Sequence, residues 1–215
     1  MNKNNIISHV QQSILWAENH NSKLSPEILN IEGQSSYKIR HFLNNLMEFP
    51  DINYLEIGLL KGSTFISSLY KNYVNSAYAM DIEVLDQFRK NCDKFNIRNH
   101  NIIESDCWKF DPSTIKNKIN VFLYDGDHTY EDQYRALRHY YPILDDVFIF
   151  LVDDWTFYTK DDDHLDYYVE RATRDSIRNL KLNTAYEKTF GSSGKGNDIN
   201  TWWNGYYIGI LEKTT

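Results

Sequence analysis

Five strand-like apolar segments alternate with helical segments in the middle of the chain, and this alternation constrains the fold more than any other feature. The strand-like segments cover residues 52–60, 76–82, 99–106, 119–127 and 147–155. The helical segments between and after them cover residues 62–74, 84–97, 130–141 and about 164–181. Strands that alternate with helices form right-handed βαβ units, so this pattern predicts a mostly parallel sheet with helices on both faces.

The end of the chain follows a different pattern. Residues 182–190 and 202–213 are strand-like, and only a short GSSGKGND-containing loop separates them. A loop of this length is too short for a parallel crossover and is typical of an antiparallel hairpin. The sequence therefore predicts an α/β fold: a Rossmann-like, doubly wound, seven-stranded sheet, mostly parallel, with a C-terminal antiparallel hairpin.

The first 50 residues are predicted to be helical. A helix begins near Asn4, and a second follows a Gly-Gln-Ser-Ser sequence in which Ser35 or Ser36 is the expected N-cap. Pro50 and Asp51 separate this part from the first strand. A length of 215 residues suits one domain. We expect an N-terminal helical cap segment at 1–50 and the main domain at 51–215, together forming a single structural unit.

Composition excludes several classes of partner. The formal net charge is −7, which argues against a basic nucleic-acid footprint and against an anionic membrane surface. No stretch approaches the roughly 18 apolar residues of a membrane span, and the first 16 residues lack a signal-peptide core. Cys92 and Cys107 form no CxxC pair. These features predict a cytoplasmic protein with reduced thiols, and they leave open whether it forms a homo-oligomer.

Ligands of such sheets bind at the carboxyl ends of the strands, and acidic residues stand there on three successive strands. Glu56 precedes a turn with two glycines that departs from the GxGxxG dinucleotide pattern, so a cationic ligand is favoured over a pyrophosphate. Asp81 ends the second strand, about 20 residues further on, where a carboxylate can bind ribose hydroxyls. After the third strand, Asp106 can accept from an adenine amino group and Trp108 can lie near the ring.

A second acidic group follows the fourth and fifth strands. Asp125, Asp153 and Asp154 offer hard oxygen ligands that suit Mg²⁺, or alternatively Ca²⁺ or Mn²⁺. The alternative is that these carboxylates are exposed and bind no ion, or that Asp153 caps the next segment. His128 follows Asp125 by three residues and is a candidate general base, because its pKa lies near neutrality.

One further acidic run is Asp161-Asp162-Asp163-His164. It is expected to be a solvated loop, with a substrate lid as the alternative.

The segments LEIGLLKGSTFISS, AMDI, ESD, VFLYDGDHTYED and FLVDDW together resemble the class I S-adenosylmethionine-dependent methyltransferases. The chain is most similar to a small bacterial set with a DGDHxYE signature, related to the metal-dependent O-methyltransferases of macrolide sugars and catechols. The resemblance runs from about Gly33 to the C-terminus. By this resemblance we expect the substrate-facing N-terminal extension of the sugar enzymes to be curtailed here, which leaves the substrate class open.

The resemblance implies roles for individual residues. The implied cofactor-binding residues are Glu56, Gly58, Lys61, Gly62, Ser63, Asp81, Asp106, Cys107, Trp108 and Asp125. The implied metal ligands are Asp125, Asp153 and Asp154. His128 matches the catalytic base, which is a lysine at that spacing in the catechol-type enzymes, and Asp125 acts beside it.

The sequence therefore predicts an enzyme that uses S-adenosylmethionine and a divalent cation such as Mg²⁺ to methylate a hydroxyl of a small molecule, such as a sugar. One alternative is a metal-independent methyltransferase that acts on nitrogen or another atom. Another is a methyltransferase-like module that binds without turnover. A dinucleotide-dependent oxidoreductase is disfavoured by the spacing of the glycine turn.

Overall fold

The structure is a computed structural model that describes residues 2–156, 168–191 and 200–214. Its strands are β1 Asn53–Ile57, β2 Ser76–Asp81, β3 Asn101–Glu104, β4 Ile119–Tyr124, β5 Leu144–Val152, β6 Asn183–Phe190 and β7 Tyr206–Glu212. Its helices are α1 Lys3–Glu18, α2 Pro26–Leu29, α3 Tyr37–Leu46, α4 Ser63–Leu69, α5 Asp86–Lys94, α6 Tyr130–Tyr140 and α7 Tyr168–Asn179.

The seven strands form one sheet in the order β3-β2-β1-β4-β5-β7-β6. Strands β1 to β5 run parallel, and β7 pairs antiparallel with both β5 and β6. The predicted fold class is confirmed, including the terminal hairpin. The strand order reverses between β1 and β4, so a ligand cleft is expected where these two strands end.

The two faces of the sheet build two hydrophobic cores, because alternate side chains of a strand point to opposite faces. On β4, Val121 and Leu123 pack into one core, while Phe122 and Tyr124 pack into the other. All six residues of β4 are buried, which accounts for its continuous apolar sequence. A strand covered on both faces holds its two ends rigidly, and this matters for the residues that follow it.

Helices α1 and α3 pack into the same core as one face of the sheet. Ile6 and Val10 of α1 and Phe42 and Leu43 of α3 are buried in it. Ser36 is the N-cap of α3, with its hydroxyl accepting from the Ile39 amide at 3.1 Å. The first 50 residues thus contain the predicted helices and share a hydrophobic core with the sheet.

Several elements are shorter than the sequence pattern indicates. β1 stops at Ile57, because Gly58 turns the chain with φ +90°. α4 ends at Leu69, five residues before the predicted boundary. The last strand begins at Tyr206, since Gly205 has φ +97° and the two tryptophans before it lie in a turn. Across the described ranges, no helix is both long enough and apolar enough to cross a membrane.

Candidate functional site

A cavity of about 670 Å³ opens at the carboxyl ends of β1, β2, β3 and β4. It lies at the reversal of strand order, where ligands of open α/β sheets bind. Eight of the sequence-predicted site residues line it, and these are Gly58, Ser63, Asp81, Asp106, Cys107, Trp108, Asp125 and His128. The structure therefore brings together residues that span 70 positions of the chain, while their roles in binding remain predictions.

The glycine turn after β1 is tied to both neighbouring strands. The Gly58 amide donates to the Met80 carbonyl at 3.0 Å, and a Cβ on Gly58 would meet the Asp125 carbonyl oxygen at 1.9 Å. Only glycine permits this approach. The next amide, that of Leu59, donates to Asp81 Oδ2 at 2.8 Å. The ribose-binding candidate Asp81 is thus held by the turn that faces it.

The segment after β3 forms another wall. Asp106 Oδ1 accepts from the Trp108 amide at 2.9 Å, and this hydrogen bond lowers the pKa of the Asp106 carboxyl, with Lys109 adding to the effect. The Trp108 ring lies 4.5 Å from the Arg135 guanidinium carbon and 6.2 Å from the Tyr124 ring. Burial raises the pKa of the Cys107 thiol to about 11, so this thiol is protonated at neutral pH.

His128 lies at the rim of the cavity and contacts a carboxylate that follows β5. Its Nε2 is 3.1 Å from Asp154 Oδ2, and the side-chain amide of Asn204 donates to Asp154 Oδ1 at 2.9 Å. Asp154 has φ +53°, an uncommon conformation that aspartate tolerates better than most residues. The result is an imidazole paired with a carboxylate that is itself fixed by an asparagine.

The carboxyl groups of the predicted metal ligands lie close enough to repel one another, but they do not form a set of metal ligands. Burial, followed by repulsion from Asp153 and Asp154, raises the pKa of Asp125 well above its usual range. Asp153 is buried, its pKa is raised in the same way, and its Oδ1 has no hydrogen-bond partner in the described part of the chain. Within residues 2–156, 168–191 and 200–214, no group of three or more His, Cys, Asp or Glu side chains could hold a metal ion.

The described side chains do not form a three-carboxylate ligand set, and the assignment of Asp125, Asp153 and Asp154 as metal ligands stays a prediction. Asp154 is engaged by His128 and Asn204, and Asp153 is buried and is not among the described residues that line the cavity. The Asp161-Asp162-Asp163-His164 run, predicted as a solvated loop or lid, lies outside the described residues.

Three predicted cofactor residues are likewise not among the described residues that line the cavity. Glu56 is fully buried and accepts hydrogen bonds from the hydroxyls of Tyr54 and Thr64, and burial raises its pKa to about 7. Lys61 forms an ion pair with Glu32 at 2.5 Å. Gly62 caps α4 with φ +85°, and a Cβ there would meet the Phe88 ring at 2.7 Å, so packing alone favours glycine at this position.

Other lining residues escape sequence reasoning. Gln34 and Ser35 reach the cavity from the segment before α3, although Ser35 is predicted only as a helix cap. Thr64 lines the cavity from α4. Ile82 follows β2, lines the cavity and is 73% exposed. Its apolar side chain directly after the end of a strand is the sequence feature that could have indicated its place in the cavity. No pattern links residues 34–35 to the strand ends, because tertiary contacts with α4 bring them to the cavity.

Comparisons with known proteins give the fold wider context. No family model matches the chain. Uncharacterized protein R132 of Acanthamoeba polyphaga mimivirus is 25% identical over 142 residues, which is 60% of this chain and 64% of the viral protein, so the match spans less than two thirds of that relative.

Solved structures resemble the chain over most of its length. A provisionally assigned O-methyltransferase from Klebsiella pneumoniae aligns with a TM-score of 0.60 and 13% identity, covering 96% of this chain and 90% of that one. TrmK of M. capricolum, in complex with S-adenosylhomocysteine, aligns with a TM-score of 0.54 and 17% identity, covering 80% of this chain and 68% of that one. An rRNA methylase from Streptococcus thermophilus aligns with a TM-score of 0.51 and 14% identity, covering 82% of this chain and 94% of that one. At these identities the likeness establishes a methyltransferase-like Rossmann fold.

Proposed function

We propose that the chain is an S-adenosylmethionine-dependent methyltransferase that methylates a hydroxyl oxygen of a small molecule. The observation that carries this proposal is the convergence of Asp81, Asp106 and Asp125 on one cavity, with His128 at its rim. Three acids from three strand ends suit a ligand with ribose hydroxyls, an amino group and a sulfonium charge. The fold similarity to a structure that holds S-adenosylhomocysteine supports the same cofactor.

Each cavity acid has a distinct task in this proposal. Asp81 accepts from the ribose hydroxyls, because it is the last residue of β2 and is already oriented by the Leu59 amide. Asp106 accepts from the adenine amino group, and the Trp108 ring borders the same wall. Asp125, immediately after β4, faces the sulfonium, and the positive charge of the bound cofactor would favour the ionised form of this carboxyl. When bound, the cofactor supplies an electrophilic methyl group together with its own leaving group.

His128 is the proposed general base that takes the proton from the acceptor hydroxyl. Its contact with Asp154 fixes the ring orientation and stabilises the imidazolium that forms on proton transfer. Asn204 holds the other oxygen of Asp154, so the pair is constrained on both sides. The β4–α6 loop and the turn before β7 thus cooperate to position one catalytic ring.

A divalent cation at Asp125 and Asp153 is the finer part of the proposal. The Asp125 carboxyl lines the cavity and is repelled by the buried Asp153 carboxyl, whose Oδ1 has no hydrogen-bond partner among the described residues, so added positive charge would be favourable there. When bound, such a cation lowers the pKa of an acceptor hydroxyl. The metal-independent reaction remains the second candidate, since Asp154 already serves His128.

The test is a screen of hydroxylated acceptors, with sugars and catechols included, for release of S-adenosylhomocysteine from S-adenosylmethionine. We expect release with at least one acceptor, loss of it in EDTA and recovery with Mg²⁺. Asp153→Ala should abolish the Mg²⁺ response, whereas the exposed Asp146→Ala should retain it.

Turnover that EDTA leaves unchanged would favour the metal-independent reaction. Cofactor binding without turnover on any acceptor would favour a binding module, and absence of cofactor binding would contradict the proposal.

A further inference from the structure

Arg40 of α3 is a buried cation whose hydrogen bonds all reach the segment before its own helix. It is 3% exposed, and its guanidinium donates to the carbonyls of Leu29 and Ile31 at 2.6 and 2.7 Å. It also donates to both the hydroxyl and the carbonyl of Ser35, at 2.9 and 3.2 Å. These acceptors are neutral oxygens, so none of them compensates the positive charge. Burial lowers the pKa of Arg40 to about 10, which leaves it charged at neutral pH.

The Ser35 hydroxyl links Arg40 to the cavity. Ser35 Oγ lies 3.1 Å from Ser63 Oγ, the first residue of α4, and both serines line the cavity. Arginine has no acceptor atom, so Ser35 must accept from it. Whichever serine then donates to the other, one hydroxyl hydrogen of the pair is left over. This wall therefore presents a hydrogen-bond donor beside a buried positive charge.

Gly33 allows the two segments to meet so closely. A Cβ on Gly33 would fall 2.1 Å from Ser63 Oγ and 2.5 Å from Ser63 Cβ, distances that real atoms do not adopt. The segment of residues 29–35 is thus pressed against the start of α4 and tied there by Arg40. The donor pair exists only while that contact is kept.

We propose that Arg40 is a positioning residue that orients the Ser35–Ser63 hydroxyl pair to bind an anionic group, which for the proposed cofactor is the carboxylate of its amino-acid portion. The remaining hydroxyl hydrogen, next to a guanidinium that is hydrogen-bonded only to neutral oxygens among the described residues, complements an anion and offers little to a nucleoside. This inference rests on the proposed function, and it assigns to the N-terminal segment a share of the cofactor site.

The test compares two ligands by calorimetry. S-adenosylhomocysteine carries the carboxylate, whereas 5′-methylthioadenosine has the same nucleoside and sulfur without the amino-acid portion. Arg40→Met and Ser35→Ala should each weaken S-adenosylhomocysteine about tenfold, the effect of one lost hydrogen bond to a charged group, and should leave 5′-methylthioadenosine within about twofold. Arg40→Lys should recover part of the loss, because it keeps the charge.

Gly33→Ala should behave like Ser35→Ala, with Gly191→Ala as its control, since a Cβ on Gly191 meets no atom within 4 Å. If Arg40→Met does not fold, the Ser35 and Gly33 variants decide the matter. Equal weakening of both ligands, or unchanged affinity for S-adenosylhomocysteine, would overturn this inference alone. Failure of the wild type to bind either ligand would overturn the proposed function as well.

Discussion

Glu56 and Asp81 stand on neighbouring strands and carry the same kind of predicted role, yet they have opposite surroundings. Asp81 is the last residue of β2 and lines the cavity. Glu56 pairs in register with Ala79, two residues deeper in the sheet, and is fully buried with Tyr54 and Thr64. The comparison shows that, of these two acids, the one at the last paired residue of its strand lines the cavity, whereas the one before the last paired residue is buried.

Other charged residues of the predicted cofactor site also differ in whether they line the cavity. Asp106 and Asp125 lie beyond their strands and line the cavity. Lys61 lies in the glycine turn but is directed to Glu32. Cavity-facing and inward-facing residues should therefore respond differently to substitution, and the predictions below run from the largest expected effect to the smallest.

Replacement of the proposed base should have the largest effect. His128→Asn should lower turnover about a thousandfold, the contribution of a positioned general base, while S-adenosylhomocysteine affinity changes by less than about twofold. The measurement is steady-state kinetics with an acceptor found in the screen. His20→Asn is the control, because His20 is exposed and is not among the described residues that line the cavity. A modest decrease that is the same in both variants would remove His128 from the mechanism.

The two compared acids should differ next in cofactor affinity. Asp81→Ala should weaken S-adenosylhomocysteine about a hundredfold, because two hydrogen bonds to a charged carboxylate are lost. Glu56→Gln should weaken it by less than about threefold, since Glu56 is fully buried and is not among the described residues that line the cavity. Calorimetric titration measures both. A larger loss in the Glu56 variant would mean that the inward-facing acid is the one that binds.

Glu56 should appear instead in the dependence of stability on pH. Burial raises its pKa from 4.5 to about 7 in the folded chain, so the folded state holds the proton more tightly than the unfolded state. The stabilisation is complete below pH 4.5 and is lost as the pH rises through about 7. The free energy of unfolding should therefore decrease on the order of a few kcal/mol across that pH interval, and Glu56→Gln should remove this decrease. Urea unfolding at several pH values measures this decrease, and an unchanged pH profile in the variant would contradict it.

Lys61→Ala should have the smallest effect. Its ion pair with Glu32 is partly exposed, and such pairs contribute about 0–1 kcal/mol to folding. We expect affinity for S-adenosylhomocysteine, measured by calorimetry, to stay within about twofold of the wild type, because Lys61 is not among the described residues that line the cavity. A tenfold weaker affinity would place Lys61 back among the cofactor residues that the sequence resemblance implies.

The alternation of strands and helices along the chain and the terminal hairpin were predictable because strand and helix periodicities are local in the sequence. Asp81, Asp106, Asp125 and His128 were predictable for a similar reason, since each lies at or shortly after the end of a strand. The burial of Glu56 was not predictable from the sequence, because the residue at which β1 ends depends on the close approach of Gly58 to Asp125.

Two other features depend on tertiary packing. Ser35 enters the cavity only because α3 packs on α4 and Arg40 fixes the intervening segment. Asp154 meets His128 through a backbone conformation with positive φ and a contact from Asn204, 50 positions away. No pattern of residues within either segment indicates the other.

The most direct test is a crystal structure of the chain grown with S-adenosylhomocysteine. We expect the ligand to occupy the cavity at the β1–β4 strand ends, with its ribose hydroxyls hydrogen-bonded to Asp81 and the amino group of its adenine at Asp106. Glu56 should remain buried and make no contact with the ligand. Two results would contradict this expectation. One is binding of the ligand elsewhere, and the other is a ligand-bound structure in which Glu56 turns outward and binds the ribose in place of Asp81.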